Sequence, residues 1–420
     1  MNLVNFNIKY PKLRFDSLLT ASILILALGF RTNFIPFEKN LSTIAIIVLY
    51  CILVLCSGGH IVVTKSRKYI IWYSAVVLIC TISKFWAKTN VDNYIYALIK
   101  DTYIPFIFVT LAMEHYISST KESKKLIDIL IVAELITVLR AVIHTPWSEM
   151  LQTFDSRLFA SGLGQNYNDF TTQMTLVAII ISYLAFHYDK KYKKWFWLFM
   201  ILILISGSRK SIVIAISGYC ISYFLGSGRN IVKIIKRAIP LIVVIAIGLY
   251  VLLTNAFLYD LIGSKLVTMI QSLGLSSSEI RSTIDAANID HSMHGRAVLR
   301  ELAWDTFIKS PILGIGYYNF QFTNSYGLYA HNNYLEILAD LGIVGFIAYY
   351  SMYFKVLFEC IKYNKRGLLY KFIFVFMGLL MIMEYAQVTF FRLFALVPLT
   401  AVLLWKDYSY KKGEVDVHKK

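Results

Sequence analysis

Runs of about 20 mostly apolar residues recur from one end of this chain to the other. A helix needs about 20 such residues to cross a bilayer. Hydrophobic residues make up 57% of the chain and charged residues only 16%, beyond the usual range of a soluble domain. We therefore predict an all-α polytopic integral membrane protein with about 12 transmembrane helices. The runs are 15–31, 41–57, 69–86, 98–117, 126–143, 170–187, 194–206, 210–226, 238–257, 334–358, 370–387 and 390–406.

These runs divide the chain into four parts. Residues 1–257 hold predicted helices 1 to 9, and residues 258–333 form one large extracytoplasmic loop between helices 9 and 10. Residues 334–406 hold helices 10 to 12, and residues 407–420 form a basic cytoplasmic tail. The first run follows a basic leader that has no small-residue cleavage site, so we expect a retained helix and not a cleaved signal.

Lysine and arginine are concentrated in alternate connections, which is the positive-inside pattern. We expect both termini to be cytoplasmic and the chain to lie in the bacterial cytoplasmic (inner) membrane. Basic inner segments facing anionic lipid account for the net charge of +17 without nucleic acid. Those segments are 65–68, 121–125, 190–194, 229–237, 362–371 and the tail.

A second group of cations falls on the predicted outer face, where topogenesis selects against them. An anionic ligand would explain them. The alternatives are snorkelling at the interface for Arg209 and a solvated helix face for Arg296. For Arg157 and Arg392, the alternative is contact with lipid headgroups. The group comprises Arg157, Arg209, Lys210, Arg281, Arg296, Arg300 and Arg392.

The predicted outer loop contains one stretch with helical spacing, 296–309. Its apolar residues can share one broad face, and Arg296 and Arg300 are i,i+4 neighbours. The sequence SPILGIGYYNF follows, and its Pro311, Gly314 and Gly316 predict a bent loop rich in backbone donors.

His331 stands between this loop and the tenth run, next to Asn332 and Asn333. Histidine is the side chain whose unperturbed pKa, about 6.5, is nearest physiological pH. A general base at the outer membrane surface is therefore one interpretation of His331. The alternative is a helix-entry residue that satisfies backbone groups.

Four motifs occur in a fixed order between residues 157 and 346: RLFASGLGQNYNDF (157–170), LISGSRKSIVIA (204–215), GRAVLRELAWDTFIKSPILGIGYYNF (295–320) and AHNNYLEILADLGIVGF (330–346). They resemble, in turn, the "R..G.f.npN" loop, the "SGSR" junction, the Arg-led helix with its glycine turn, and the "HN.yL" helix entry of one family. That family is the O-antigen ligases and Wzy-type polymerases, which are GT-C-like membrane glycosyltransferases.

The resemblance implies metal-independent transfer of glycan from undecaprenyl pyrophosphate, without a cofactor. His331 matches the histidine proposed to activate the acceptor hydroxyl. Arg209 and Arg296 match arginines that would hold the pyrophosphate. The set of candidate pyrophosphate ligands is Arg209, Lys210, Arg296 and Arg300; further candidate substrate contacts are Arg157, Arg392, Asn332 and Tyr317.

Two departures from the family pattern stand out. Arg300 stands where relatives often have Trp, so it is either an extra phosphate contact or a packing residue. In addition, the outer arginines lack the following Gly at the spacing described for some polymerases.

The residue types also suit this chemistry on their own. Guanidinium groups bind phosphate oxygens bidentately, and a positioned His can accept a proton from an attacking hydroxyl. The five cysteines show no metal-ligand spacing, and the outer acidic residues are scattered, so we predict no metal site. Tyr317 and the nearby tyrosines could stack on sugars or form an interfacial belt.

The favoured function is polymerase of a bacterial surface polysaccharide, with another lipid-linked repeat unit as acceptor. The alternatives are a ligase that transfers glycan to lipid A core or protein, and a lipid-linked oligosaccharide flippase. A flippase would predict two similar halves, which the sequence lacks. The expected partners are the undecaprenyl-pyrophosphate-linked oligosaccharide and membrane lipid, with a flippase and a chain-length regulator as further candidates and no nucleic acid.

Charged residues inside the predicted spans form another set. They are costly in a bilayer, so we expect most of them to pair between helices. They are Lys100, Asp101, Glu134, Arg140 and Glu384.

Overall fold

The computed structural model describes residues 15–30, 38–153, 158–163, 166–225, 293–363 and 367–409. Helices joined by turns make up this part of the chain, and no strand occurs within these ranges. The main helices are α1 (Phe15–Gly29), α2 (Glu38–Cys56), α3 (Ser66–Ile82), α4 (Asp92–Ala97), α5 (Ile104–Thr120), α6 (Ser123–Ile143), α7 (Trp147–Thr153), α8 (Tyr167–His187), α9 (Tyr192–Ile205), α10 (Arg209–Leu225), α11 (Met293–Lys309), α12 (Asn319–Thr323), α13 (Asn333–Lys362), α14 (Leu368–Glu384) and α15 (Leu393–Ser409).

Eleven of the twelve predicted runs coincide with these helices; the ninth, 238–257, lies outside the described residues. Five helical stretches are long and apolar enough to cross a membrane: Glu38–Cys56, Ser66–Phe85, Asp92–Thr120, Tyr167–His187 and Asn333–Lys362. The described part of the chain is thus all-helical, with several apolar helices. The number of twelve spans and the large outer loop remain predictions.

The fourth predicted run is one irregular helical stretch. A π-helix, Leu98–Tyr103, joins α4 to α5. Pro105 stands in the first turn of α5 and has no N–H to give to the preceding turn. The π-helix therefore lies directly before the proline that interrupts the α-helical hydrogen bonds.

Helix α8 lies at the centre of the bundle and is buried along almost its whole length. It packs against α6, α9, α10, α14 and α15. Helix α11 covers α13 from outside, with Leu299 and Ala303 buried, while Ala297 and Ile308 at the edges of its apolar face are exposed. The predicted helix at 296–309 is thus present, with a narrower buried face than the sequence pattern predicts.

Most charges inside the helices pair as expected. Arg140 of α6 binds Glu38 of α2 at 2.6 Å, and Gln173 of α8 donates to Glu134 of α6 at 2.6 Å. Glu384 accepts hydrogen bonds from three tyrosines of α13, Tyr349, Tyr350 and Tyr353, at 2.9–3.0 Å. Lys100 and Asp101 instead lie 3.7 Å apart within one segment.

Helix α13 is interrupted at Gly342, whose backbone (φ 63°, ψ −163°) is not helical. The peptide groups on either side of this break bond to the loop 311–316, so none of the four is left unsatisfied. The bonds join Ile315 N–H to Ala339 O (3.0 Å), Gly316 N–H to Asp340 O (2.8 Å), Ile343 N–H to Pro311 O (2.9 Å) and Val344 N–H to Ile312 O (3.2 Å).

Candidate functional site

A cavity of about 300 Å³ lies at one end of the bundle, where α8, α10 and α13 begin and α14 ends. Five segments far apart in sequence supply its walls: the starts of α8 and α10, helix α11, the entry to α13 and the connection after α14. The lining residues are Tyr167, Asn168, Gly207, Ser208, Arg209, Lys210, Arg296, Arg300, His331, Tyr385 and Ala386.

Arg209 and Lys210 open α10 directly after a tight turn from α9. Gly207 makes the turn possible with a left-handed backbone (φ 63°). The Lys210 ammonium donates to the Gln387 side-chain oxygen, and to the Ala386 carbonyl at 3.3 Å. The connection between α14 and α15 therefore holds the Lys210 side chain in place at the cavity wall.

Arg296 and Arg300 enter the cavity from α11. They are one helical turn apart, and the Arg300 Nε donates to the Arg296 carbonyl at 3.1 Å. The Arg300 guanidinium lies 5.2 Å from the centre of the Tyr385 ring, within the range of cation–π attraction. Arg300 therefore combines a packing contact with access to the cavity.

His331 also lines the cavity and is 7% exposed. Its backbone is left-handed (φ 53°), which is uncommon outside glycine. The residues on each side are fixed: Ala330 N–H donates to Glu336 Oε2 at 2.6 Å, and Asn332 caps α13 by accepting from Leu335 N–H at 3.1 Å. These two anchors set the backbone from which the imidazole reaches the cavity.

The loop before His331 is fixed by the same helix. Asp340 lies one turn beyond Glu336, and its carboxylate accepts the N–H groups of Tyr318 and Phe320, both at 2.8 Å. Asp340 and Glu336 are both buried. The two carboxylates of α13 thus fix the loop at two places, at Tyr318–Phe320 and at Ala330 directly before His331.

The connection from α14 to α15 closes the cavity at Tyr385 and Ala386. Asn333 Oδ1 accepts the N–H groups of Thr389 and Phe390 at 2.8 and 3.1 Å. The hydroxyl of Thr389 donates to Glu384 at 2.6 Å. This connection is therefore fixed to α13 only two residues after His331.

Several predicted contacts lie elsewhere. Asn332 is buried and acts as the cap of α13, and Tyr317 is buried among aromatic rings with its N–H donated to Ser83 Oγ at 2.8 Å. Burial raises the pKa of the Tyr317 phenol well above its usual value, so this group stays neutral. Arg392 lies beside the cavity and does not line it. Arg157 and Arg281 lie outside the described residues.

Other residues of the site were not singled out from the sequence. Tyr167 and Asn168 line the cavity, and Asp169 accepts a hydrogen bond from the Gln387 amide. The NYND sequence at 166–169 was a usable signal, because it places four polar residues at the start of an otherwise apolar helix. Tyr385 and Gln387 carried no such signal, since their segment reads as the end of one apolar run.

The chemistry of the cavity is cationic. Four basic side chains line it, and no carboxylate occurs among the described residues of its wall. Nor do the described residues contain a group of three or more His, Cys, Asp or Glu side chains arranged for a metal ion. A polyanion with a neighbouring hydroxyl group suits this arrangement better than a neutral ligand.

Comparison with known proteins agrees with the motifs. Residues 194–350 match a family model, Wzy_C, described as O-Antigen ligase. No curated protein matches significantly. The match includes Arg209, Arg296, Arg300 and His331, and it confirms the family resemblance. Together with the apolar helices, it indicates a multi-pass membrane protein of polysaccharide biosynthesis with glycosyltransferase-type activity.

Proposed function

We propose, from the O-antigen ligase domain at residues 194–350, that this protein polymerises a bacterial surface polysaccharide. The donor is glycan carried on undecaprenyl pyrophosphate, and the acceptor is a sugar hydroxyl of a second lipid-linked repeat unit. The reaction takes place at the outer face of the cytoplasmic membrane. One observation carries the proposal: four basic side chains and His331, from three distant segments, line a single cavity.

In the proposed reaction, the acceptor oxygen attacks the anomeric carbon of the donor sugar. A new C–O bond forms as the bond from that carbon to the pyrophosphate oxygen breaks, and the lipid pyrophosphate leaves. Negative charge builds up on the leaving group, and Arg209, Arg296 and Arg300 would stabilise it. The acceptor hydroxyl loses its proton to His331 as the bond forms.

This mechanism assigns charge stabilisation to guanidinium groups and not to a metal ion. We therefore expect purified protein to elongate lipid-linked repeats in the presence of EDTA. Activity that EDTA abolishes, and that only a divalent cation restores, would contradict the arginine-based mechanism.

A deletion strain tests the proposed function. Loss of a polymerase should leave single repeat units on the cell surface, as measured by chemical analysis of the surface polysaccharide. A ligase, the alternative that the family description supports, would instead leave long polymer on the carrier lipid and none on its final acceptor. Repeat units retained at the cytoplasmic side of the membrane would indicate a flippase and refute both transferase assignments.

A further inference from the structure

Arg392 and Asp169 stand just outside the cavity, on two of the segments that line it. Arg392 ends the connection whose first residues, Tyr385 and Ala386, line the cavity; Asp169 follows the lining residue Asn168 at the start of α8. The two side chains face each other, with Arg392 NH1 4.0 Å from Asp169 Oδ2. The cavity wall is thus continuous with a second polar surface.

Hydrogen bonds from other helices fix the backbone just before Arg392. The hydroxyl of Tyr73 donates to the Phe390 carbonyl at 3.1 Å, and that of Thr102 donates to the Phe391 carbonyl at 3.0 Å. Together with the bonds from Asn333, these contacts fix three successive residues before Arg392. A side chain on such a rigid segment can be preorganised for a ligand at little entropic cost.

The Arg392 guanidinium is not satisfied by its surroundings. Its side chain is 42% exposed, and its Nε is buried without a hydrogen-bond partner among the described residues. The guanidinium carbon lies 4.6 Å from the centre of the Phe391 ring, which holds it in place. The distance to Asp169 is too long for a hydrogen bond. The exposed part of the guanidinium, at NH1, therefore faces the Asp169 carboxylate across a gap that no direct hydrogen bond closes.

A sugar fits this gap better than a second phosphate does. A hydroxyl group both donates and accepts, so adjacent hydroxyls can give to Asp169 and receive from Arg392. Phosphate would be repelled by the Asp169 carboxylate. Beyond Phe391, the ring of Tyr318 lies 6.2 Å away and stacks on exposed Tyr94 at 4.3 Å, which extends an aromatic surface outward.

We propose that Arg392, Asp169 and Phe391 form a subsite that binds a neutral sugar with adjacent hydroxyls on the acceptor glycan. This inference rests on the proposed transferase function. Asn333 joins the subsite to the proposed base, since it lies two residues after His331 and binds the backbone just before Arg392. By chain reach, the two sites are on the order of 20 Å apart or less. An acceptor of a few sugars can then contact both.

Binding measurements on the full chain in lipid nanodiscs test the subsite. The probes are the free repeat-unit oligosaccharide, released by mild acid from lipid-linked intermediates, and inorganic pyrophosphate. The variants are Arg392→Ala and Arg392→Lys. Lys84→Ala is the matched control, because Lys84 is also 42% exposed and lies at the same end of the bundle.

We expect both Arg392 variants to weaken oligosaccharide binding by about tenfold or more. Each variant loses the planar guanidinium and its hydrogen bonds to the sugar hydroxyls. Pyrophosphate affinity should stay within about twofold, and Lys84→Ala should change neither affinity. Equal losses for both probes would mean a structural role for Arg392, and unchanged oligosaccharide affinity would overturn the subsite. If wild-type protein binds the oligosaccharide through Arg392 but not pyrophosphate, the subsite stands and the proposed donor chemistry fails.

Discussion

His331 is positioned by bonds that its neighbours make. Glu336 holds Ala330, Asn332 caps α13, and the backbone between them turns left-handed. Strain of this kind costs of order 1–3 kcal/mol and persists where the surrounding structure imposes it. A residue that only began a helix would need no such geometry. The arrangement therefore favours a role for the imidazole in the cavity over the helix-entry interpretation.

We predict that His331→Ala and His331→Asn both lower the rate of polymerisation by about 10²–10⁴. Asparagine adopts a left-handed backbone more readily than most residues, so this variant removes the base while sparing the local conformation. His60→Ala is the control, because His60 is exposed. Turnover of lipid-linked repeats by purified protein is the measurement. Near-normal turnover in well-expressed His331→Asn would refute the general-base role.

The arginines can be separated from the base by their effect on the donor. Arg209→Lys keeps the charge but loses the planar fork that binds two phosphate oxygens. We expect kcat/KM for the lipid-linked donor to fall by about tenfold or more, whereas Arg67→Lys, at an exposed arginine, leaves it unchanged. Arg296→Ala should weaken donor binding more than His331→Ala does. Full activity of Arg209→Lys would show that a point charge suffices at this position.

At the scale of elements, the break in α13 at Gly342 fixes the position of the loop 311–316, because the backbone on both sides of the break bonds to that loop. Gly314 and Gly342 face each other across the contact, and a Cβ on Gly342 would lie 2.3 Å from the Ile312 carbonyl oxygen. Only backbones without side chains can approach so closely. The loop then continues to Tyr318 and Phe320, whose N–H groups Asp340 accepts.

Replacing Gly342 should therefore destabilise the protein far more than replacing a glycine within a regular helix. We expect Gly342→Ala to cost about 2 kcal/mol or more, because the backbone region of Gly342 is open essentially to glycine alone. Gly378→Ala is the control, since a Cβ there meets no atom within 4 Å and alanine favours helix. Thermal unfolding of the purified variants compares them. Equal melting temperatures would refute the close-approach argument.

The elements differ in how far the sequence predicts them. The apolar runs predict the helices well, because each is long and bounded by polar residues, as at α8 and α13. The interruption at Gly342 is not predictable from the sequence, since a single glycine in an apolar run is usually tolerated within a helix. The cationic residues of the cavity could be anticipated from charge placement against the expected topology. Their convergence depends on packing between α10, α11 and α13, which no local pattern encodes.

The partners of the cavity residues were harder to foresee. In the sequence, Glu336 and Asp340 show only acidic residues in the first turns of a helix, where the helix dipole favours negative charge. In the structure, their carboxylates accept N–H groups of the loop backbone. Gln387 and Asp169 meet across 218 positions of sequence. Such contacts depend on tertiary arrangement and leave no periodic signal in the sequence.

At the scale of the whole molecule, the cavity lies at one end of the bundle, and the described basic connections 65–68, 121–125 and 190–194 lie at the other. Far from the cavity, Glu114 accepts from the Ser66 N–H at 3.1 Å and from the Tyr408 hydroxyl at 2.6 Å. Lys68 pairs there with Asp407 at 2.7 Å. The described inner segments 65–68 and 121–125 therefore meet the end of α15 at one end of the bundle. If the positive-inside rule holds, the cavity opens to the outer face.

Single-cysteine labelling of a cysteine-free background tests this orientation. The probe positions are Lys88 and Lys125, because both side chains are exposed. Thr89, next to Lys88, donates to Asn319 near the cavity at 3.0 Å, whereas Lys125 belongs to a basic connection. We expect a membrane-impermeant maleimide to label Lys88→Cys in intact cells and Lys125→Cys only after permeabilisation. The reverse pattern would place the cavity in the cytoplasm and remove the basis for donor transfer at the outer face.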